Sequence, residues 1–163
     1  MKRRHCLARA GSALLLAGLP AWVSAHGLRA GELLIDHPYA LPTPPGARSG
    51  AVYFRALTNR GSQPERLLGA SCAGVARRVE IHRSRVEQDV MRMRELPALE
   101  LPPGTTLQPH HGGELHLMLL DLQRPLLNGE RFELELQFER AGRQTVTVWV
   151  QQPREGTSAA HPH

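Results

Sequence analysis

The chain has 163 residues, enough for one ordinary domain and too few for two well-packed cores. Hydrophobic residues make up 41% and charged residues 21%, a globular composition that excludes wholesale disorder, collagen and a coiled coil. The formal net charge is +5, but residues 1–25 hold four basic residues and no acid, so the rest of the chain is nearly neutral. A nucleic-acid-binding role is therefore disfavoured.

Residues 1–25 have the three-part form of a secretory signal: a basic start, an apolar stretch from Ala10 to Val23, and small residues at the end. We expect export with cleavage after Ala25, and no membrane span, because no apolar stretch is long enough. Cleavage removes Cys6 and leaves Cys72 as the only cysteine, which excludes an internal disulfide. Cys72 is expected to be a small buried apolar residue, with a reactive thiol or soft-metal ligand as the alternative.

Residues 26–152 alternate in short segments separated by Pro and Gly, a pattern that predicts one all-β domain. The predicted strands are, in chain order, residues 32–36, 51–58, 79–82, 90–94, 114–120, 132–138 and 145–150. Residues 37–46 are predicted as a proline-rich loop outside any ladder, with His37 hydrogen-bonded inside it. The spacing favours a Greek-key sandwich or small barrel of about seven to nine strands. Residues 153–163 lack periodicity and are expected to form a flexible polar tail.

The clearest hairpin joins residues 132–138 to residues 145–150. Its alternation is clean and predicts which side chains face the core. These are Phe132, Leu134, Leu136 and Phe138 on one strand and Val146, Val148 and Val150 on the other.

Histidine and methionine side chains are set apart from this core by the same alternation. In residues 114–120 the leucines at 115, 117 and 119 share one face, which turns His116 and Met118 outward. Ile81 likewise turns His82 outward beside Glu80. Met93 shares a face with Met91, and the alternation leaves open which side of that strand is buried.

Two imidazoles and up to three thioethers form a soft, neutral donor set that suits Cu(I) and discriminates poorly for Zn(II) or Mg(II). A His-x-Met pair by itself is weak evidence, since most such pairs are ordinary strand residues. An exposed Cu(I) site of this kind would permit ligand exchange with a partner.

Three segments closely resemble the signature of the periplasmic copper chaperones called PCuAC: residues 79–82, 90–94 and 116–119. That family's pattern is a His, ten intervening residues, a Met, a gap of about twenty-two, then His-x-Met. Here ten residues separate His82 from Met93, and twenty-two separate Met93 from His116. Further similarity covers nearly all of residues 26–142, from His26-Gly27 to the 138–142 turn.

The resemblance implies a cupredoxin-like β-sandwich that binds one Cu(I) at a solvent-accessible site. Its ligands would be His82, Met93, His116 and Met118. It also implies a periplasmic carrier rather than an enzyme, expected to be monomeric. The carrier would deliver copper to the CuA centre of cytochrome c oxidase subunit II, sometimes alongside a Sco-like thiol protein.

This chain departs from the family pattern at two points, Ser84 and the segment 109–114 before the last motif. Ser84 stands where many relatives carry an additional Met, and Met91 is expected to support the site from outside the ligand set. Residues that could recruit Cu(II) are His110 and His111 before the last motif, His26 at the expected new N-terminus, and His161 and His163 in the tail. The two loop histidines are more simply interpreted as a solvated loop.

Other functions remain as alternatives. They are a Cu(II)-binding or copper-tolerance protein, a copper oxidative enzyme with an N-terminal His brace at His26, and a metal-free adhesion sandwich. Hydrolase and nucleotide-binding motifs are absent from the sequence.

Overall fold

The computed structural model describes residues 27–88 and 90–152. These residues form eleven strands and no helix, which confirms the all-β prediction. The strands are β1 (Leu28–Ala30), β2 (Leu33–Ala40), β3 (Ser49–Asn59), β4 (Glu65–Ser71), β5 (Ala76–Glu87), β6 (Val90–Leu96), β7 (Leu99–Leu101), β8 (Thr106–Leu107), β9 (Leu115–Leu122), β10 (Arg131–Phe138) and β11 (Arg143–Val150). No helix in the described ranges is long and apolar enough to cross a membrane.

The ladder runs β6-β5-β9-β3-β2-β11-β10-β4-β7, with β1 on β2 and β8 on β3. All pairs are antiparallel except β2 with β11. The count exceeds the expected seven to nine strands because β1, β7 and β8 have only two or three residues each, too short for a periodic signal. The sequence prediction also missed β4, whose alternation is weakened by Gly69 and Ala70.

The predicted proline-rich loop at residues 37–46 is wrong at its start. β2 continues to Ala40, and Pro38 and Tyr39 pair with Phe54 and Tyr53 of β3. The ladder has an irregularity at His37, where φ is +43°: the register of β2 on β3 passes from Asp36 opposite Ala56 to Pro38 opposite Phe54. Proline is tolerated within a sheet at such irregular positions. His37 is also not confined to a loop, since its Nε2 lies 3.1 Å from Gln151 Nε2.

One hydrophobic core lies between the inward faces of this curled sheet. All seven core side chains predicted for the β10–β11 hairpin are buried. On β9, Leu117 and Leu119 are buried as predicted, while Leu115 is half-buried at the rim. Cys72 is 2% exposed and belongs to this core, and burial raises the pKa of its thiol. The interpretation of Cys72 as a small buried residue is therefore confirmed.

The β5–β6 hairpin at one edge of the sheet extends past its neighbour. β9 pairs with β5 only as far as Arg83 opposite Leu115, whereas β5 continues to Glu87 and pairs with β6 along that length. Most of this hairpin therefore has exposed side chains on both faces.

Candidate metal centre

His82 and His116 lie directly opposite each other on β5 and β9. Their ring centroids are 5.7 Å apart, with the rings edge to face. Strand alternation sets both on the face opposite buried Ile81 and Leu117, so the apolar side chains of the same strands fix the orientation of the two imidazoles. The sequence alternation thus correctly predicted which side of each strand carries the histidine.

The expected exposure of this pair is wrong: His116 is only 7% exposed, and the His82 side chain is only 14% exposed. His116 lies between His82 on one side and Tyr53 of β3 on the other, with a centroid separation of 6.1 Å from Tyr53. Desolvation, and secondarily the neighbouring His82, lower the pKa of His116. The lowered pKa favours the neutral imidazole, the form that can bind a metal.

Met118 and Met93 flank the histidine pair from opposite directions along the strands. Met118 is half-buried and pairs with Glu80, two residues before His82, whereas Met93 pairs with Ser84, two residues after it. Both thioethers are thus diagonal neighbours of His82, a relation that long side chains can bridge. Met93 is 53% exposed and lies two strands away from His116.

Glu80 holds the His82 ring, a contact that the sequence did not reveal. His82 Nε2 lies 2.9 Å from Glu80 Oε2, and both side chains are largely buried. A carboxylate oxygen accepts a hydrogen bond, so Nε2 carries the proton and donates it. The other ring nitrogen, Nδ1, is then a bare lone pair; it is buried and has no hydrogen-bond partner. A buried imidazole lone pair with a carboxylate on the far nitrogen is the usual state of a histidine that ligates a metal.

An aromatic row continues from His116 across the same face of the sheet. Tyr53 is followed by Tyr39 on β2 at a centroid distance of 5.4 Å, and Tyr39 pairs with Trp149 on β11. Burial raises the pKa of Tyr53. Tyr39, Tyr53 and Trp149 each precede or follow buried residues, so alternation could have predicted that each faces away from the core. Their alignment in a row depends on the strand order, which is a property of the fold.

The other candidate ligands occupy the hairpin tip and the loop before β9, or lie outside the described residues. Met91 faces Val86 near the tip of the hairpin and is 64% exposed. His110 Nδ1 contacts its own loop at Gln108 O, while His111 packs edge-on against Tyr53 with a centroid distance of 5.4 Å. His26, His161 and His163 lie outside the described ranges. Across residues 27–88 and 90–152 no group of three or more His, Cys, Asp or Glu side chains is placed to hold a metal ion.

Comparison with known proteins supports the resemblance noted in the sequence. The family described as "Putative lipoprotein LpqE-like" matches residues 33–150, more than half of the chain. No curated protein gave a significant match.

Three similar solved structures include two that hold copper. The copper-bound PCuAC domain from PmoF2 is 27% identical over 78% of this chain and 99% of its own length, with a TM-score of 0.67. The CuI-DR1885 solution structure from Deinococcus radiodurans is 30% identical over 74% of this chain and 78% of its own length, with a TM-score of 0.56. The apo PmoF2 PCuAC domain is 28% identical over 79% of this chain and 97% of its own length, with a TM-score of 0.66.

The strand arrangement and these similarities therefore define a cupredoxin-like fold, like that of the PCuAC domains it matches. The chain belongs to the LpqE-like family, which is the PCuAC-like family, so the predicted resemblance is confirmed.

Proposed function

We propose that this protein is an exported carrier of Cu(I), with His82, Met93, His116 and Met118 as ligands. The observation that carries the proposal is the adjacent pair of histidines, in which His82 Nδ1 is buried, bare and without a hydrogen-bond partner. A thioether lies diagonally on each side of this imidazole. Two of the similar structures, the copper-bound PCuAC domain from PmoF2 and CuI-DR1885, support copper as the metal.

The donor chemistry favours the reduced ion. Thioether sulfur is soft and neutral, which suits Cu(I) and provides little affinity for hard cations. Because His116 is buried and its pKa is lowered, its neutral form is available for binding without competition from a proton near neutral pH. Four neutral ligands leave the single positive charge of Cu(I) uncompensated, which favours passage to a more anionic site.

The unequal exposure of the ligands suggests a route for transfer. His116 is 7% exposed whereas Met93 is 53% exposed, so an acceptor can approach from the β6 side and replace Met93 first. We propose that the acceptor is the CuA centre of cytochrome c oxidase subunit II or a Sco-like thiol protein. The carrier would act in the periplasm as a monomer, after cleavage at Ala25, with residues 26–152 as the copper-binding domain and residues 153–163 as a tail.

The decisive experiment is an anaerobic titration with Cu(I) against a competing chelator. Wild-type protein should bind one equivalent tightly, and Met93→Leu/Met118→Leu should lose that site. Met91→Leu is the matched control. Met91 lies on the same face of β6 as Met93, so the substitution removes the same thioether at a position farther along the strand from the histidines. Binding that is indifferent to the double substitution would refute the ligand set and direct attention to Cu(II) at His26, His110, His111, His161 and His163.

Transfer is tested separately. Copper-loaded protein is mixed with the soluble CuA domain of subunit II, and formation of the dinuclear centre is followed by its visible absorption. Tight Cu(I) binding without transfer to this domain would retain the carrier and reject this acceptor.

A further inference from the structure

The β5–β6 hairpin that carries Met93 has features of a docking element. We call residues 83–94 the arm. Beyond Ser84 its two strands pair with each other and with no other described strand. Six large hydrophobic side chains are exposed among the described residues, and four of them belong to the arm: Val86, Met91 and Met93 on one face, and Val90 opposite Glu87 on the other. Exposed apolar clusters of this kind mark interaction sites more often than isolated surface residues do.

The two faces of the arm differ in chemistry. Directly opposed residues of paired strands share a face, so the Ser84–Met93 and Val86–Met91 pairs form an apolar face continuous with His82. The opposite face carries Arg83 opposed to Arg94 and Arg85 opposed to Arg92. In sequence the arm holds four arginines against two acids, although the chain outside residues 1–25 is nearly neutral.

Like charges directly opposed across a strand pair destabilise it, and the arm contains two such pairs in succession. Within the described residues one carboxylate offsets them: Glu87 contacts Arg92 at 3.4 Å and Arg94 at 3.5 Å. Arg83 and Arg85 have no ion-pair partner there, and Arg83 Nε is buried without a hydrogen-bond acceptor. The arginine face therefore lacks the anions that would balance it within this part of the chain.

We propose that the arm binds an acidic surface of the protein that accepts copper, with carboxylates on the arginine face. This inference rests on the proposed carrier function, because docking there would hold an acceptor beside the exposed ligand Met93. Arginine and methionine are both enriched at protein interfaces. A protein cleft can contact both faces of a free β-ribbon, whereas a flat anionic bilayer can contact only the arginine face, so the paired chemistry favours a protein partner.

The test uses decaglutamate peptide as the probe, with amide chemical shifts of the copper-free protein as the readout at low and high salt. Shifts should be confined to the arm and its immediate neighbours and should vanish at high salt. Substituting Arg83, Arg85, Arg92 and Arg94 together by Gln should weaken binding roughly tenfold, since each exposed ion pair contributes modestly. The matched control substitutes Arg29, Arg60, Arg77 and Arg140, which are exposed elsewhere on the sheet and loops.

Each outcome is informative. Equal weakening in both fourfold variants would mean that net charge alone binds the peptide, which would overturn the proposal. Binding of the arm to phosphatidylglycerol vesicles without binding to decaglutamate would replace the protein partner with a membrane. A Cu(I) titration of the arm variant should still give one equivalent. If wild-type protein does not bind Cu(I) in that titration, the carrier function is refuted. The decaglutamate result would still show whether the arm binds an acidic chain.

Discussion

The contact between Glu80 and His82 makes a quantitative prediction about metal affinity. Changing Glu80 to Gln keeps the size of the side chain and removes the negative charge that holds the Nε2 proton. Nδ1 would then be less strongly favoured as the unprotonated nitrogen, and the ring would be oriented less firmly. We expect Cu(I) to bind more weakly in Glu80→Gln.

The magnitude follows from the burial of the contact. The His82 side chain is 14% exposed and that of Glu80 is 17% exposed, so solvent screens their 2.9 Å hydrogen bond only weakly. Loss of a carboxylate partner behind a ligating histidine typically costs about 10- to 100-fold in metal affinity. Because the Gln amide oxygen can still accept a weaker hydrogen bond, we expect the lower end, about tenfold or ~1.4 kcal/mol.

The assay is competition for Cu(I) with a chelator, together with ¹H–¹⁵N couplings that identify the His82 tautomer in the metal-free protein. Glu95→Gln is the matched control: Glu95 lies opposite His82 on β6, and its substitution removes the same charge. The Nε2-protonated tautomer should dominate in wild type and in Glu95→Gln and should be less populated in Glu80→Gln, where the acceptor is weaker. Equal affinity losses in both variants, with an unchanged tautomer, would refute the argument from hydrogen bonding and leave only long-range charge.

Three further predictions concern the metal-free protein. Leu119→Ala should lower the free energy of unfolding by about 2–5 kcal/mol in urea denaturation, because Leu119 is fully buried. A loss below about 1 kcal/mol would contradict the place of Leu119 in the core. Because the folded pKa of His116 is lowered, its contribution to stability should be complete above its unfolded pKa of about 6.5 and decline as pH falls through the folded pKa. His116→Gln should flatten that decline, and an unchanged pH profile would reject the buried neutral state. Iodoacetamide should label Cys72 only on unfolding, since the thiol is buried with a raised pKa, and rapid labelling of native protein would show an accessible thiol.

Alternation along individual strands predicted much of this protein. It assigned the core faces of β9, β10 and β11 and turned His82, His116 and Met118 to the opposite side, because side-chain direction in a strand depends only on position along that strand. The resemblance of the His and Met motifs to the PCuAC signature likewise predicted the family. Proline misled the same reasoning at His37–Tyr39, because β2 continues through the ladder past a backbone irregularity at His37.

The sequence alone determined an all-β domain with a soft His/Met donor set on one face of its strands. Only the tertiary structure decided that His116 is buried between His82 and Tyr53, that Glu80 holds His82, and that β6 forms the edge carrying the arm. These properties arise between strands that lie far apart in the chain. They depend on strand order and register, which long-range packing selects and which the alternation within any one strand does not contain.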